Sequence, residues 1–189
     1  MGLAMTRMRC TIALSFWLLL CGMQAAWSAD GSAALRLSIS IAADGWNTTG
    51  HETRSLSFRE PHPHFHVLIS NISTNEVRLW KEDCSLGYEA LSLQVADAGA
   101  NQWTAKKRPR PWRSNYPRWW LLKPSETLTI DVYFADSKVW DGFRHPPKDS
   151  ALKLILTAVY EIQSDERTKE HQIWSGRIVS TPVEVTFYD

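Results

Sequence analysis

Residues 152–162 read "LKLILTAVYEI". Side chains alternate sides along an extended backbone. Leu152, Leu154, Leu156, Ala158, Tyr160 and Ile162 fall on one side, and Ile155 and Val159 share the other. A run that is apolar on nearly both faces suits a strand in the middle of a sheet, covered above and below. The same period of two recurs on either side of it. "LRLSISI" (35–41) sets Leu35, Leu37, Ile39 and Ile41 against polar neighbours, and "FHVLI" (65–69) aligns Phe65, Val67 and Ile69. "EVRLWK" (76–81), "LSLQV" (91–95), "TLTIDVYF" (127–134), "HQIWSGRIVS" (171–180) and "VEVTFY" (183–188) repeat the pattern. No helical period of useful length appears.

Turn chemistry separates these runs: "SNISTNE" (70–76), "ADAGANQ" (96–102), "LKPSET" (122–127) and "QSDERTKEHQ" (163–172). Asn, Asp, Gly, Pro and Ser supply the backbone conformations and local hydrogen bonds that reversals need. The segment 163–172 is expected to be a polar hairpin tip. Eight or nine short strands at this spacing predict an all-β fold, an antiparallel immunoglobulin-like β-sandwich forming one domain over residues 30–189.

The first residues carry a different message. Arg7 and Arg9 precede the apolar run "TIALSFWLLLC" (11–21), and small residues follow in "GMQAAWSAD" (22–30). This is the layout of a secretory signal peptide, expected to span residues 1–28. The run is too short to cross a bilayer, which takes about 20 apolar residues. The expected destination is the periplasm or the exterior, with no membrane span after cleavage.

Removing the leader takes two of the 21 Lys+Arg and none of the 20 Asp+Glu, leaving a net charge of −1. A near-neutral chain gives no global attraction for nucleic acid or membranes, so any basic surface is local. Cys10 and Cys21 leave with the leader and Cys84 remains alone, which excludes an intramolecular disulfide.

The order of the signals carries a resemblance. "ISNIS" (69–73), "VADAGANQW" (95–103), "LKPSETLTIDVYF" (122–134), "LKLILTAVYEI" and "WSGRIVSTPVEV" (174–185) together resemble exported bacterial immunoglobulin-like domains. The order is also similar to the bacterial proteinase-inhibitor family with an immunoglobulin-like fold. The likeness covers most of residues 35–187 and implies the fold; it transfers no inhibitory residue. A proteinase inhibitor would need a projecting loop, and residues 135–150 are the long segment available for one.

Enzyme signatures are missing: no G-x-S-x-G elbow, no phosphate-cradling glycine loop, no H-E-x-x-H and no C-x-x-C. Glu82 and Asp83 are adjacent, so on a strand they would point apart rather than act as a pair. The expectation is a binding module without catalytic activity and without a required cofactor.

Two stretches offer binding chemistry. "PHPHFHV" (61–67) spaces His62, His64 and His66 two apart, so an extended backbone turns all three to one side. Neighbouring imidazoles of this kind can converge on zinc or copper at about 2.0–2.1 Å. Three would need a bend, since the outer two lie about 13 Å apart on a straight strand. Pro61 and Pro63 could bend it, and their missing N–H groups place this start at a sheet edge. His51 is a further candidate ligand.

The second stretch, "KKRPRPWRSNYPRWW" (106–120), holds six cations, four aromatics, three prolines and no acid. Lys107, Arg108, Arg110, Arg113 and Arg118 suit sulfate, phosphate or carboxylate groups. Trp112, Tyr116 and Trp119 offer flat faces for sugars. The expected partner is an anionic envelope polysaccharide or a protein. The competing expectation is structural: one of Trp119 and Trp120 buried, and arginines lying over Trp112 and Tyr116 by cation–π contact. Trp46, Trp80, Trp103, Trp140 and Trp174 are expected to pack rather than bind. Asn47 and Asn71 each match the N-x-[ST] glycosylation pattern.

Overall fold

A computed structural model describes residues 34–46, 48–50, 52–61, 64–113 and 115–189. Residues 1–33, which include the segment expected to be a leader, and Asn47, His51 and His62 lie outside the described residues. In chain order come β1 (Leu35–Ser40), β2 (Gly45–Trp46), β3 (Glu52–Thr53), β4 (Ser55–Ser57), β5 (Phe65–Asn71) and β6 (Val77–Trp80). A single-turn helix, α1 (Ser85–Tyr88), precedes β7 (Leu91–Asp97), β8 (Gln102–Lys107), β9 (Trp119–Leu122) and β10 (Thr127–Val132). Then follow β11 (Trp140–Asp141), β12 (Ala151–Ile162), α2 (Glu166–Glu170), β13 (Gly176–Val179) and β14 (Val183–Tyr188). The all-β expectation holds.

Among the described residues the named strands pair antiparallel except β4 with β14, and an isolated bridge between Arg78 and Ile173 is also parallel. A three-stranded sheet runs β1-β5-β10, and a larger one runs β11-β8-β7-β12-β14-β4 with β13 also paired to β12. β4 joins β14 in parallel. β6 and β9 form a separate two-stranded ribbon, and β2 and β3 another. β12 has β7 along one edge and β14 and β13 along the other, as its apolar sequence predicted.

Both main sheets turn their inner faces to one shared core. Leu35 and Leu37 of β1, Phe65, Val67 and Ile69 of β5, and Ile130 and Val132 of β10 belong to the same buried cluster as Leu91, Leu93, Leu154, Leu156, Val185 and Phe187. Burying a side chain of this kind contributes about 1.5–3 kcal/mol. Phe134 lies among Phe58, Phe65, Phe143 and Phe187 with centroid separations of 4.9–6.3 Å.

Local bonds explain the reversals. The Asp97 carboxylate accepts from the backbone N–H groups of Gly99 and Asn101, both at 2.9 Å, which closes the β7–β8 hairpin. Its side-chain bond from Asn101 holds the carboxyl below its usual range. Asn71 is fully buried; its amide donates to the carbonyls of Asn75 and Leu122, and its oxygen accepts from Ser73. That side chain is committed to the turn, so the Asn71 match to the glycosylation pattern is structural.

Several expectations need correction. The segment 163–172 is not a plain hairpin tip: Asp165 caps α2, accepting from the Thr168 N–H at 2.7 Å while the Thr168 hydroxyl accepts from the Asp165 N–H. β5 is the middle strand of its sheet rather than an edge, because pairing begins at Phe65, after both prolines. Trp46 is 72 % exposed instead of packed. It borders an open cleft of about 880 Å³ lined also by Ile41, Arg54, Leu68 and Pro182. Among the described residues no helix is long and apolar enough to cross a membrane.

Candidate functional site

The basic segment leaves β8 and returns as β9. On β8, Ala105 and Lys107 point inward and Lys106 points out. Lys107 is therefore buried, 7 % exposed, although the sequence marked it as a ligand-binding cation. Its ammonium pairs with Glu82 and lies 5.0 Å from the Tyr88 ring centroid. A buried ammonium needs such a partner, since burial without one is costly. Gly87 makes the arrangement possible: a Cβ there would meet the Lys81 carbonyl oxygen at 2.4 Å, so only glycine lets α1 lie this close to the end of β6.

Arg108 donates from Nε to the Ser137 carbonyl at 2.8 Å and pairs with Asp141 at 3.0 Å. Arg118 pairs with Asp83 at 2.5 Å. Glu82 and Asp83 lie in a turn rather than on a strand, and they serve different cations. Arg110 lies over two rings, 4.4 Å from Tyr88 and 4.0 Å from Trp112, which themselves meet edge to face. Arg113 and Lys106 are exposed and form no ion pair with any described acid. The Asn115 side chain ties the segment to α1 by accepting from the Ser85 N–H at 2.9 Å.

The aromatic part of the segment is more open than expected. Trp119 is 37 %, Trp120 42 %, Leu121 45 % and Tyr116 77 % exposed; Leu122 is the residue of β9 that is buried. The expected burial of one of the two tryptophans does not occur. β9 pairs with β6 and, among the described residues, with no other strand. Trp119 leans on Trp80 and His171, and the Lys81 ammonium sits 3.9 Å above the Trp120 ring. Trp112 is half-buried, so Tyr116, Trp119, Trp120 and Leu121 form the exposed apolar part.

The histidine stretch lies elsewhere. His64 and His66 share the outer face of the three-stranded sheet, and β10 brings Asp131 opposite His66. The His66 Nδ1 and an Asp131 oxygen are 2.8 Å apart. One potential ligand atom from each of His64, His66 and Asp131 lies within 4.8 Å of the other two. Asp131 was not visible as a candidate, because spacing along one strand says nothing about the strand beside it.

Other chemical groups are withdrawn from solvent. Cys84 is buried, with its thiol 3.2 Å from the Lys81 carbonyl as donor. Burial pushes the Tyr160 phenol well above its usual value, and nearby Glu82 and Cys84 add to the shift. Residues 135–150 lie down on the core: Trp140 is buried and Phe143 packs among Phe65, Phe134 and Phe187. Gly142, at φ 102°, is pressed against the Thr104 carbonyl where a Cβ would come within 2.7 Å. Within it Val139 and Phe143 are half-buried and Pro147 is exposed.

No known protein family matches the chain, and no curated protein is significantly similar to it.

Proposed function

We propose that this chain is an exported, non-catalytic binding module with an immunoglobulin-like β-sandwich fold, directed out of the cytoplasm by a leader of residues 1–28. Its contact surface is the basic-aromatic segment with β9, and its partner is an anionic envelope polymer. The observation that carries this reading is that Tyr116, Trp119, Trp120 and Leu121 are exposed on the same chain segment as the exposed cations Arg113 and Lys106. Aromatic faces and arginines suit a polymer that presents sugar rings and fixed negative charge.

The internal ion pairs of Arg108 and Arg118 do not argue against it. Both are solvent-exposed pairs, worth about 0–1 kcal/mol, so a polymer anion can replace Asp141 or Asp83 at little cost. Arg110 is held ready by its two rings. Lys107 takes no part, since Glu82 and the core hold it. The absence of catalytic motifs and the sequestered thiol of Cys84 fit a passive protein in an oxidising compartment.

The test is retention on immobilised heparin, used as a generic sulfated polysaccharide. Wild type should be retained and eluted by salt. Arg110→Ala/Arg113→Ala should elute at lower salt, and Trp119→Ala/Trp120→Ala should weaken retention at fixed salt. Wild type passing straight through, or all three proteins eluting together, would defeat the reading.

A further inference from the structure

We propose that His64, His66 and Asp131 bind one divalent late transition-metal ion, zinc or copper(II), on the outer face of the three-stranded sheet. The site shares no residue with the basic-aromatic surface and does not depend on it.

Strand parity fixes which way these side chains face. Phe65, Val67 and Ile69 fill the core, so His66 must face outward, and His64, two residues earlier, takes the same side. On β10, Ile130 and Val132 face inward, so Asp131 faces outward too. Register then sets Asp131 directly across from His66. Facing Cβ atoms in an antiparallel pair are about 4.5–5.5 Å apart. Three donors are thus gathered by backbone that the core fixes.

The side chains extend that convergence. The two imidazole rings are 5.1 Å apart and nearly perpendicular, at 72°. All three donors come within 4.8 Å of one another. Bonds of about 2.0–2.2 Å to a tetrahedral ion put its ligand atoms about 3.3–3.6 Å apart, a closure that side-chain rotation supplies. A bound ion would replace the direct contact between the His66 Nδ1 and the Asp131 oxygen, which are 2.8 Å apart. Tyr133, with its ring 5.1 Å from that of His64, walls one side. The remaining coordination positions face solvent.

A His–Asp pair alone would be an ordinary cross-strand contact. The third donor on the same face distinguishes this one. The two nitrogens also select the ion: imidazole suits zinc, copper, nickel and iron, whereas calcium and magnesium take oxygen ligands. His62 lies outside the described residues, and the site is complete for three-ligand binding without it.

The experiment is calorimetric titration of the purified, untagged protein with zinc chloride and with copper(II) sulfate at neutral pH. One saturable site per chain is expected with each ion and none with calcium or magnesium. His64→Ala, His66→Ala and Asp131→Asn should each weaken binding more than about tenfold, since even residues that only orient metal ligands are worth 10–100-fold. All three positions are at least partly exposed, so thermal unfolding of the metal-free variants should match that of wild type, while zinc should raise the midpoint of wild type alone. Three outcomes overturn the proposal: no saturation of wild type by either ion, saturation by calcium or magnesium, or wild-type affinity in any of the three variants.

Discussion

β12 and β9 are both rich in large apolar residues, yet one disappears into the protein and the other does not. Along β12, Leu154, Leu156, Ala158 and Tyr160 are buried, because the strand has hydrogen-bonded neighbours on both edges and a second sheet across the core. Among the described residues β9 has one neighbour, and Trp119, Trp120 and Leu121 remain open to solvent. Side-chain hydrophobicity is the same kind of quantity in both. The number of layers around the strand decides whether it becomes stability or surface.

Leu156→Ala probes the closed side of this contrast and has the largest expected effect. It should cost about 2–5 kcal/mol, seen as a lower urea midpoint; a loss well under that would mean that β12 is not the packed centre. Glu82→Gln tests the border, where Lys107 ends β8 inside the core. Leaving that ammonium without its carboxylate should cost about 1–3 kcal/mol, and adding Lys107→Met should recover part of it in the same denaturation experiment. On the open side, Trp120→Ala removes a cation–π contact with Lys81 and should cost under about 1 kcal/mol while weakening heparin retention. A large drop in melting temperature would place Trp120 with the core residues instead.

Arg113→Ala should leave stability within about 0.5 kcal/mol, with any effect confined to retention. The smallest effect belongs to the α2 tip between β12 and β13. The Thr168 backbone bond holds the Asp165 carboxyl below its usual range. Its contribution is therefore present above the unfolded carboxyl pKa, about 3.9, and is lost as pH falls through the lower folded value. Melting curves of Asp165→Ala and wild type should accordingly differ slightly near neutral pH and converge in acid.

Strand identities were legible because alternation is local. Phe65, Val67 and Ile69, or Ile130 and Val132, announce their inner face without help from the rest of the chain. The position of Lys107 was also accessible in principle, since it shares parity with the small, buried Ala105. Asp131 was not: it meets His66 across 65 residues, and only the register of β5 and β10 brings them together. Trp119 and Trp120 misled for a related reason. Their sequence fits a covered strand, and the missing second neighbour is a property of the whole topology. The capping box of α2 was written in Asp165 and Thr168, but a helix of five residues leaves no periodic trace.

β4 reaches the large sheet only through β14, where Leu56 pairs with Phe187, and Arg59 fastens the junction to Asp149 at 3.1 Å and Asp189 at 2.5 Å. A segment near residue 56 therefore waits on one near residue 187 before it has a seat. During synthesis β4 has no partner strand until β14 has emerged. Such distant pairing forms late, because long loops must close before the contact rewards them, so the seat of β4 is among the last parts of the fold to be completed.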